Sequence, residues 1–499
     1  MLDRHNRNSA FVNLTRLSSY FSIHDCSAYL VGGCLRDSLL NRPIHDIDLT
    51  TSESPHRFGP ELAKALGGTY VNLNSQPDIG RIIIKAIFDL EESPLNYDES
   101  TPPLTIDLSE FSGEITANLI TRDFTVDSMA LNILDCQNPE WRGFILDPLN
   151  GLQDLFSKKI RSTSHSIFIA DPGRLLRAVR LAAQLGFVIE PDTAMNIKTH
   201  AALIKRVPGE RIRDEFLNIM AGDGAKAQLD VLDRLGILCQ VIPELAMTKG
   251  VTQPKAHYWN VWEHLLHTVE TAELITKGHQ NSPIYSLAPW TPESETYFGQ
   301  IVSDGHTRRT ILKLTALLHD IAKPQTKATD NSGRTRFLGH SELGAEMATA
   351  RLRELRLSSN GISMVSKMIE AHLRPSSMRQ GTKYPTKRAV FRYFRSLGDL
   401  AIDTIYLALA DYLAAKGPHL MPDQWAGHAR IMTHILHLGT QQITTSAVEK
   451  LVTGRDIMEN LNIESGPKIG YLLNIIEEAR AAGEISNKEQ ALALALKVR

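Results

Sequence analysis

Short apolar runs separated by turn residues characterise the first third of the chain. Their spacing predicts β-strands at residues 28–31, 46–50, 81–88, 104–108 and 128–134. A segment rich in proline, serine and acidic residues at 91–103 predicts a loop between two of these strands. From residue 158 onward the apolar residues recur at helical spacing, as at Leu175, Leu176, Val179 and Ala183. The pattern therefore predicts an N-terminal part of mixed strands and helices, followed by a mostly helical body.

Proline and glycine divide the helical body into blocks. Asp171-Pro172 and Pro208-Gly209 predict helix starts, because proline is favoured at the first helical position. The pattern further predicts a break at 248–254, a helical block from about residue 257, an irregular insertion at 276–308, a helical block at 310–416 and two helical units after residue 417. We expect an α+β protein with a small mixed-sheet domain at 1–155, a helical neck at 156–247, a helical domain at 255–417 and a helical tail at 418–499.

Composition narrows the class of protein. A chain of 499 residues is too long for one hydrophobic core and predicts three or four domains. Aromatic residues make up only 6% of the chain, and no apolar run approaches the length that spans a membrane. The N-terminus lacks the apolar core of a signal peptide, and the four cysteines are scattered without metal-binding spacing. We therefore expect a cytoplasmic protein with no membrane partner, and the sequence leaves its oligomeric state open.

Positive charge is concentrated in one region, although the net charge of the chain is only −2. Residues 158–213 contain eleven basic side chains against four acidic ones. The basic residues are Lys158, Lys159, Arg161, Arg174, Arg177, Arg180, Lys198, Lys205, Arg206, Arg211 and Arg213. Such an excess is able to follow a phosphate backbone, which makes Lys158, Lys159 and Arg211 candidates for RNA contact. Solvated helix faces explain the charges equally well, so charge alone leaves both interpretations open.

Residues 31–48 carry the densest set of chemically informative residues. Gly32-Gly33 follow an apolar run and precede a helix-like stretch, where glycine lets a phosphate approach the backbone and a helix N-terminus favours the anion. Asp46 and Asp48 project from the same face of a predicted strand, because side chains alternate along a strand. Two adjacent carboxylates repel unless a cation lies between them, and an all-oxygen pair suits Mg²⁺. The alternative is a tight turn followed by a polar hairpin.

This stretch, with Arg36-Asp37 between its two parts, closely resembles the head signature of the tRNA nucleotidyltransferase/poly(A) polymerase family. Members of that family add nucleotides to RNA 3′ ends without a nucleic-acid template. The resemblance implies that Asp46 and Asp48 hold catalytic magnesium ions. It also makes nucleotide-binding candidates of Gly32, Gly33, Arg36 and Asp37.

Two further head segments resemble the family. Asp107 occupies the place of a third catalytic carboxylate, although the motif after it is only partly matched and a simple strand-end carboxylate remains the alternative. Residues 121–130 are similar to the motif that contacts the ribose and triphosphate, which implies nucleotide-binding roles for Arg122 and Asp123. Thr121 and Asp127 depart from that motif. Residues 147–155 resemble the segment that links head to neck.

Asp171 and Arg174 form the second strong signal. At a spacing of three residues they share one face of a predicted helix. A carboxylate accepts a hydrogen bond from an exocyclic amine and an arginine donates to ring acceptors, so the pair is suited to reading the edge of C or A. The resemblance is to the family's amino-acid template motif, and it extends to Arg177 and Arg180, while Ala170 replaces the preceding Glu. The alternative is a helix-capping Asp with a local salt bridge.

A second candidate metal site lies in the helical body. His264, His319-Asp320 and Asp411 combine imidazoles with carboxylates, a set that suits a transition metal or Mg²⁺. Their order resembles the HD phosphohydrolase superfamily, and His340 and His372 fit places where binuclear members supply further ligands. A domain of this kind is also retained for architecture alone.

The sequence thus predicts a template-independent RNA nucleotidyltransferase that adds or repairs the CCA end of tRNA from CTP and ATP. Poly(A) polymerase and CC-only or A-only addition are alternatives within the family. A hydrolase that works through the HD site is an alternative of another class. A protein that uridylylates a protein partner is a third, but the tail after residue 417 leaves little room for the ligand-binding domains of such proteins.

Overall fold

The computed structural model describes residues 9–44, 46–75, 78–84, 103–278, 281–378, 384–446 and 450–498. Contacts divide the chain into two compact units, Met1–Arg206 and Val207–Arg499. This division falls inside the neck predicted at 156–247, so the four predicted domain ranges stay predictions.

A six-stranded mixed sheet forms the centre of the first unit. Its strands are β1 Ala28–Val31, β2 Asp46–Thr51, β3 Thr69–Ser75, β4 Asp78–Ile84, β5 Leu104–Glu110 and β6 Ala130–Asn132. They are arranged in the order β3-β4-β5-β2-β1-β6. Strands β2 and β5 are parallel, and the other neighbouring pairs are antiparallel.

Alternation along β5 separates a core face from a polar face. Leu104, Ile106 and Leu108 are buried, whereas Asp107 lies between two of them and is only partly buried. Because successive side chains of a strand point to opposite faces, Asp107 projects away from the core. Strand β5 therefore buries its apolar side in the core and presents Asp107 on the other face.

Among the described residues of the first unit, eight α-helices surround or follow this sheet. They are α1 Ser9–Phe21, α2 Gly32–Leu39, α3 Pro55–Leu66, α4 Ile115–Ile120, α5 Gly151–Phe156, α6 Ile167–Ala170, α7 Arg174–Leu185 and α8 Pro191–His200. Two short parallel strands, β7 Lys159–Ile160 and β8 Val188–Ile189, lie among them. Helix α7 buries the predicted apolar positions Leu175, Leu176 and Val179.

The second unit is built mainly of helices. They are α9 Gly209–Ala221, α10 Ala225–Arg234, α11 Leu238–Val241, α12 Val261–Thr276, α13 Pro292–Gly299, α14 Arg308–Leu318, α15 Lys323–Thr326, α16 His340–Glu354, α17 Ser359–Ala371, α18 Arg374–Ser377, α19 Lys387–Leu397, α20 Leu400–Lys416, α21 Pro422–Ser446, α22 Gly454–Leu461, α23 Pro467–Ala482 and α24 Lys488–Val498. Two small hairpins pair β9 Ile301–Ser303 with β10 His306–Thr307, and β11 Lys327–Thr329 with β12 Thr335–Phe337. The predicted α+β class, with a mixed-sheet head and a helical body, is confirmed. No described helix is long and apolar enough to cross a membrane.

Several boundaries differ from the sequence-based expectation. The segment 276–308, predicted as irregular, contains α13 and the β9–β10 hairpin; α13 starts at a capping box in which Thr291 and Ser294 exchange hydrogen bonds. The block 310–416 is interrupted by the β11–β12 hairpin, whose turn is held by the Asp330 carboxylate on the amides of Ser332 and Arg334. The tail contains four helices rather than two, and α12 begins at Val261 rather than near residue 257. The loop predicted at 91–103 and the end of the strand predicted at 81–88 lie largely outside the described residues.

Candidate active sites

Three carboxylates lie on the polar face of the head sheet. The Cα atoms of Asp48 on β2 and Asp107 on β5 are register partners, so their side chains share one face. Asp46 lies two residues before Asp48 on the same face, and its carboxylate accepts a hydrogen bond from the Thr105 hydroxyl. The structure therefore places the three residues that the sequence predicted as catalytic on one face of the sheet.

The double glycine lies directly against Asp48. The Gly33 amide donates to Oδ2 of Asp48 at 3.2 Å. Gly32 has a φ of +65°, and a Cβ atom there would lie 3.0 Å from Asp48 Oδ2 and 3.2 Å from Arg122 Nη1. Glycine is therefore required at this position both for its backbone conformation and for the close approach of the two charged groups.

The charge state of Asp48 reflects this crowded environment. Burial raises the pKa of its carboxyl to about 6; the Arg122 guanidinium opposes this, and the negative charges of Asp107 and Asp127 add to it. A cation placed among these carboxylates would relieve their repulsion. The oxygen-only ligand set therefore fits a hard divalent ion.

Arg81 of β4 already occupies one side of this group. Its Nε donates to Asp107 Oδ1 at 2.6 Å and its Nη2 donates to Oδ2 at 2.8 Å. In the part of the chain that the structure describes, the groups of three or more His, Cys, Asp or Glu ligand atoms within 4.8 Å of one another all lie in the second unit. Among the described residues, the three head carboxylates do not form such a group. Sequence analysis missed Arg81, because its role follows from the register of β4 and β5.

Arg36 connects two of the family-like segments. It is 8% exposed, and its guanidinium donates to Asp127 at 2.7 Å and to Asp37 at 3.0 and 3.1 Å. Asp127, where the family motif has Asn, is thereby provided with a cationic partner. Burial raises the pKa of Asp127, and Arg36 opposes that shift. The contacts of Arg36 and Asp37 are internal ones, and their binding of nucleotide stays a prediction.

Asp123 and Arg122, the pair predicted to contact the triphosphate, differ in their partners. Asp123 is engaged by other residues, whereas one nitrogen of Arg122 is not engaged by any residue that the structure describes. Asp123 accepts a hydrogen bond from the Phe124 amide at 3.1 Å and pairs with Arg177 of α7 at 2.7 Å. Arg122 is largely buried, and burial lowers its pKa. Its Nε is buried without a hydrogen-bond partner among the described residues. Such an unpaired donor beside Asp48 suits an anionic group of a ligand.

The segment 147–155 packs against the segment that carries Arg122 and Thr125. Asp147 accepts hydrogen bonds from the amides of Gly151 and Leu152 at 2.7 and 2.9 Å and so caps α5. A Cβ atom on Gly151 would lie 2.2 Å from the carbonyl oxygen of Thr125. The residue must therefore be glycine for α5 to pack against the segment that carries Arg122.

The predicted geometry of Asp171 is wrong. Asp171 follows the end of α6 at Ala170 and precedes α7, which begins at Arg174, so Asp171 and Arg174 do not share a helix face. The Asp171 Oδ1 atom accepts a hydrogen bond from the Gly173 amide at 3.0 Å. An aspartate that bonds its own backbone two residues on forms a turn, and this turn displaces the helix start predicted at Pro172. A role in base reading for Asp171, Arg174, Arg177 and Arg180 stays a prediction.

The candidate RNA contacts are divided between the units. Lys158 is exposed beside β7, and Lys159 lies on that strand, both in the first unit. Arg211 is exposed on α9 in the second unit. Their contact with RNA also stays a prediction.

Asp320 lies at the centre of the second constellation. Its Oδ2 is 3.3 Å from His264 Nε2 and 3.2 Å from His319 Nε2, and the Asp411 Oδ1 atom is 3.1 Å from His264 Nε2. Its other oxygen, Oδ1, is 3.3 Å from Nε2 of His340 and 3.8 Å from Nε2 of His372. Within each of these two sets the ligand atoms all lie within 4.8 Å of one another, and the two sets share Asp320.

Backbone carbonyls orient three of these imidazoles. The Nδ1 atoms of His319, His340 and His372 lie 2.9, 2.6 and 2.6 Å from the carbonyl oxygens three residues before each of them. With a hydrogen on each Nδ1, the Nε2 atoms would be free to bind a metal ion placed between them and Asp320, as in metal-binding histidines. Nitrogen and oxygen ligands in this number fit one or two transition-metal ions.

Electrostatics at the second site favour a cation. Burial disfavours a charged His319, but the carboxylates of Asp320 and Asp411 outweigh it and raise the pKa of His319 to about 10. Lys323, which sequence analysis did not select, forms an ion pair with Asp320 Oδ2 at 2.5 Å and donates to Gln253 Oε1 at 2.6 Å. A buried aspartate surrounded by cationic and neutral donors is thus kept charged.

Four family models match successive parts of the chain. They describe the poly A polymerase head domain over residues 28–161, a probable RNA- and SrmB-binding site of polymerase A over 186–248, the HD domain over 261–416 and a putative tRNA nucleotidyltransferase domain 2 over 430–496.

Relatives with assigned names match over nearly the whole length. A CC-adding tRNA nucleotidyltransferase of Thermus thermophilus is 28% identical and covers 94% of this chain and 93% of the relative. An A-adding tRNA nucleotidyltransferase of Deinococcus radiodurans is 29% identical and covers 93% of this chain and 94% of the relative. A CCA-adding enzyme of Limosilactobacillus fermentum is 34% identical over 41% of this chain and 49% of the relative.

The fold is that of a solved structure as well. The CCA-adding enzyme of Thermotoga maritima, solved in complex with tRNA, aligns with a TM-score of 0.62 at 20% identity, covering 98% of this chain and 95% of that one. The matches to the head, RNA-binding, HD and tail domains follow one another along the chain without overlap. The chain is therefore a nucleotidyltransferase that belongs to the tRNA nucleotidyltransferase/poly(A) polymerase family and carries an HD domain.

Proposed function

We propose that this enzyme adds nucleotides to the 3′ end of tRNA without a nucleic-acid template, using CTP and ATP. One observation carries the proposal: Asp48 and Asp107 face each other across two parallel strands, with the Gly32-Gly33 turn against Asp48. The names of the full-length relatives support tRNA as the substrate, and the cytoplasm is the compartment we assign to it.

The residues of the head have distinct roles in this reaction. Asp46, Asp48 and Asp107 would hold Mg²⁺, which when bound would supply positive charge to the triphosphate and to the attacking 3′ hydroxyl. Gly32 and Gly33 allow the phosphates to approach the start of α2. Arg122, with its buried and unpaired Nε, donates to the nucleotide. Arg36 fixes α2 to the segment that carries Arg122 through its pair with Asp127.

The turn at Asp171 and the start of α7 at Arg174 would then select the base. Asp171 accepts from the exocyclic amine shared by cytosine and adenine, and Arg174 donates to their ring acceptors. A site that leaves a buried polar group unpaired with the wrong base discriminates strongly against that base. We assign the domain ranges 1–155, 156–247, 255–417 and 418–499 to head, neck, HD domain and tail, and tRNA contact to Lys158, Lys159 and Arg211.

A specific observation favours a narrower activity as the second candidate. The relatives that match over more than nine-tenths of the chain are named CC-adding and A-adding, whereas the CCA-adding relative matches over 41%. The decisive assay uses two tRNA substrates, one lacking all three terminal nucleotides and one lacking only the final A, with CTP, ATP and both together. Complete CCA on the first supports the full reaction. CC on the first without A on the second identifies a CC-adding enzyme, and the reverse identifies an A-adding one. Long A tracts or inactivity on both substrates would contradict the proposal.

The HD domain supports a further, separate activity. Two groups of nitrogen and oxygen ligands share Asp320, an arrangement that fits two metal ions activating water against a phosphoester. We therefore assign metal-dependent phosphohydrolysis to this site. Chromogenic phosphomonoesters and phosphodiesters, tested with Mn²⁺, Ni²⁺, Zn²⁺ and Mg²⁺, measure it directly. If none of these substrates is hydrolysed with any of the metals, the assigned phosphohydrolysis is wrong and the role of the HD domain is architectural.

A further inference from the structure

Arg81 continues the row of charged residues that crosses the head sheet. Its Cα is the register partner of Asp107, whose Cα is in turn the partner of Asp48. Because register partners project to the same face, the three side chains lie in one line across β4, β5 and β2. A fixed cation therefore lies at one end of the carboxylate group proposed to bind metal.

The contact between Arg81 and Asp107 engages both carboxylate oxygens. The distances of 2.6 and 2.8 Å form a two-pronged pair, the geometry in which arginine binds a carboxylate most specifically. A guanidinium is not deprotonated in proteins, so Arg81 is a permanent cation in this pair. The side chains are 40% and 31% exposed, which leaves the pair accessible from solution.

An ion bound by all three carboxylates has to compete with this pair. Mg²⁺ requires oxygen ligands at about 2.0–2.1 Å in octahedral geometry, and it is repelled by a nearby guanidinium. Arg81 engages both oxygens of Asp107, so this carboxylate has to leave the pair before it can ligate an ion.

We propose that Arg81 is a built-in counter-cation for Asp107, and that the catalytic metal has to displace it before Asp107 becomes a ligand. This inference rests on the proposed function, because it concerns the metal of the same head site. Arg81 is a positioning residue that acts through Asp107. Its presence makes metal binding by the empty head weaker than the three carboxylates alone would give.

Metal binding by the full-length protein tests the inference without reference to turnover. Mn²⁺ binding is followed by electron paramagnetic resonance, and the contribution of the HD domain is removed by subtracting the isotherm of the Asp48→Asn protein. Arg81→Gln should tighten head binding of Mn²⁺ about fivefold, the equivalent of the ~1 kcal/mol that an accessible ion pair contributes. Arg81→Lys keeps the charge but loses the contact with both oxygens of Asp107, and it should tighten head binding of Mn²⁺ less. Arg57→Gln, which removes an exposed arginine of the same unit, should leave it unchanged.

The outcomes separate this inference from the proposed function. Unchanged or weaker Mn²⁺ binding in Arg81→Gln, with Arg81→Lys behaving like wild type, would show that Arg81 merely orients Asp107 and would overturn the inference alone. If wild type and Asp48→Asn bind the same amount of metal, the head has no metal site, and both proposals fall. Equal melting temperatures of the Arg81 variants and wild type establish that the comparison concerns folded proteins.

Discussion

Asp48 and Asp107 lie directly opposite each other on two parallel strands, and their side chains share the polar face of the head sheet. The two strands are far apart in the sequence, so a short motif could not establish this relationship. Burial raises the pKa of Asp48, and because of this pairing the negative charge of Asp107 raises it further. A metal ion is the natural compensation for such a pair.

Replacing Asp48 by Asn should abolish nucleotide addition without destabilising the protein. Activity should fall by at least about a hundredfold, the scale on which one preorganised electrostatic group acts in an active site. The melting temperature should not fall, because burial already disfavours the charged carboxylate and the amide is neutral. Incorporation of labelled CTP or ATP into truncated tRNA measures the loss, and Asp46→Ala should behave alike.

Glu110→Gln is the matched control for this experiment. Glu110 lies on β5 three residues after Asp107, and strand alternation places it on the opposite face. Its substitution should preserve transfer. Near-normal transfer by Asp48→Asn would remove the head carboxylates from catalysis.

The strands that sequence analysis found are those with a buried face. Strand β5 alternates buried and partly buried residues, and that alternation is what periodicity detects. Strand β3 was missed because it lies at the edge of the sheet, where Val71 and Leu73 are exposed and leave no core-facing pattern. Edge strands are shaped by pairing with a neighbour, which periodicity does not reveal.

The sequence predicted which residues belong to the candidate sites, but it did not predict the contacts that these residues make. The order of His264, His319, Asp320 and Asp411 indicated a shared metal site, and the structure brings these four together. Asp171 was misplaced because Asp-Pro is typical both of a helix start and of a turn, and the hydrogen bond to Gly173 decides for the turn.

The HD site should be separable from nucleotide addition. His319→Ala combined with Asp320→Ala should remove most bound transition metal and any phosphohydrolase activity, because Asp320 belongs to both ligand groups. Addition of nucleotides to tRNA should stay within about twofold of wild type, since the head carries its own carboxylates. Metal content is measured by mass spectrometry after dialysis. His437→Ala, an exposed histidine outside the cluster, is the control. Equal loss of both activities in a folded variant would contradict separate sites.

Asp171→Asn should change which bases the enzyme accepts, rather than simply weaken nucleotide binding. The amide oxygen is able to keep the hydrogen bond with Gly173, while the new amide hydrogens face a base carbonyl instead of an amine. Selectivity for CTP and ATP over UTP and GTP should therefore fall by about tenfold or more, whereas the KM for a correct nucleotide should change little. Incorporation of all four nucleotides on one tRNA gives the ratio. Unchanged ratios would assign Asp171 to the turn alone.

Glu273 on α12 anchors the second unit through several donors. Its carboxylate accepts hydrogen bonds from the amides of Gly224 and Ala225 at 2.8 and 3.1 Å. It also lies 3.0 Å from Lys277 and 3.2 Å from Lys313, whose side chain is 1% exposed. Burial opposes the charged form of Glu273, but Lys313 and the other donors outweigh it and lower its pKa to about 2.

The depressed pKa makes the stability of this unit dependent on acid. A carboxylate whose pKa is lower in the folded protein contributes stability that is complete above the unfolded value of 4.5 and is lost as the pH falls toward 2. Glu273→Gln should lower the melting temperature at pH 7, by the equivalent of about 3 kcal/mol, because it leaves Lys313 buried without its carboxylate. It should also flatten the decline in melting temperature between pH 5 and pH 2 relative to wild type. Glu263→Gln, an exposed glutamate on the same helix, should show neither effect. A decline as steep in Glu273→Gln as in wild type would show that other carboxylates determine the acid sensitivity.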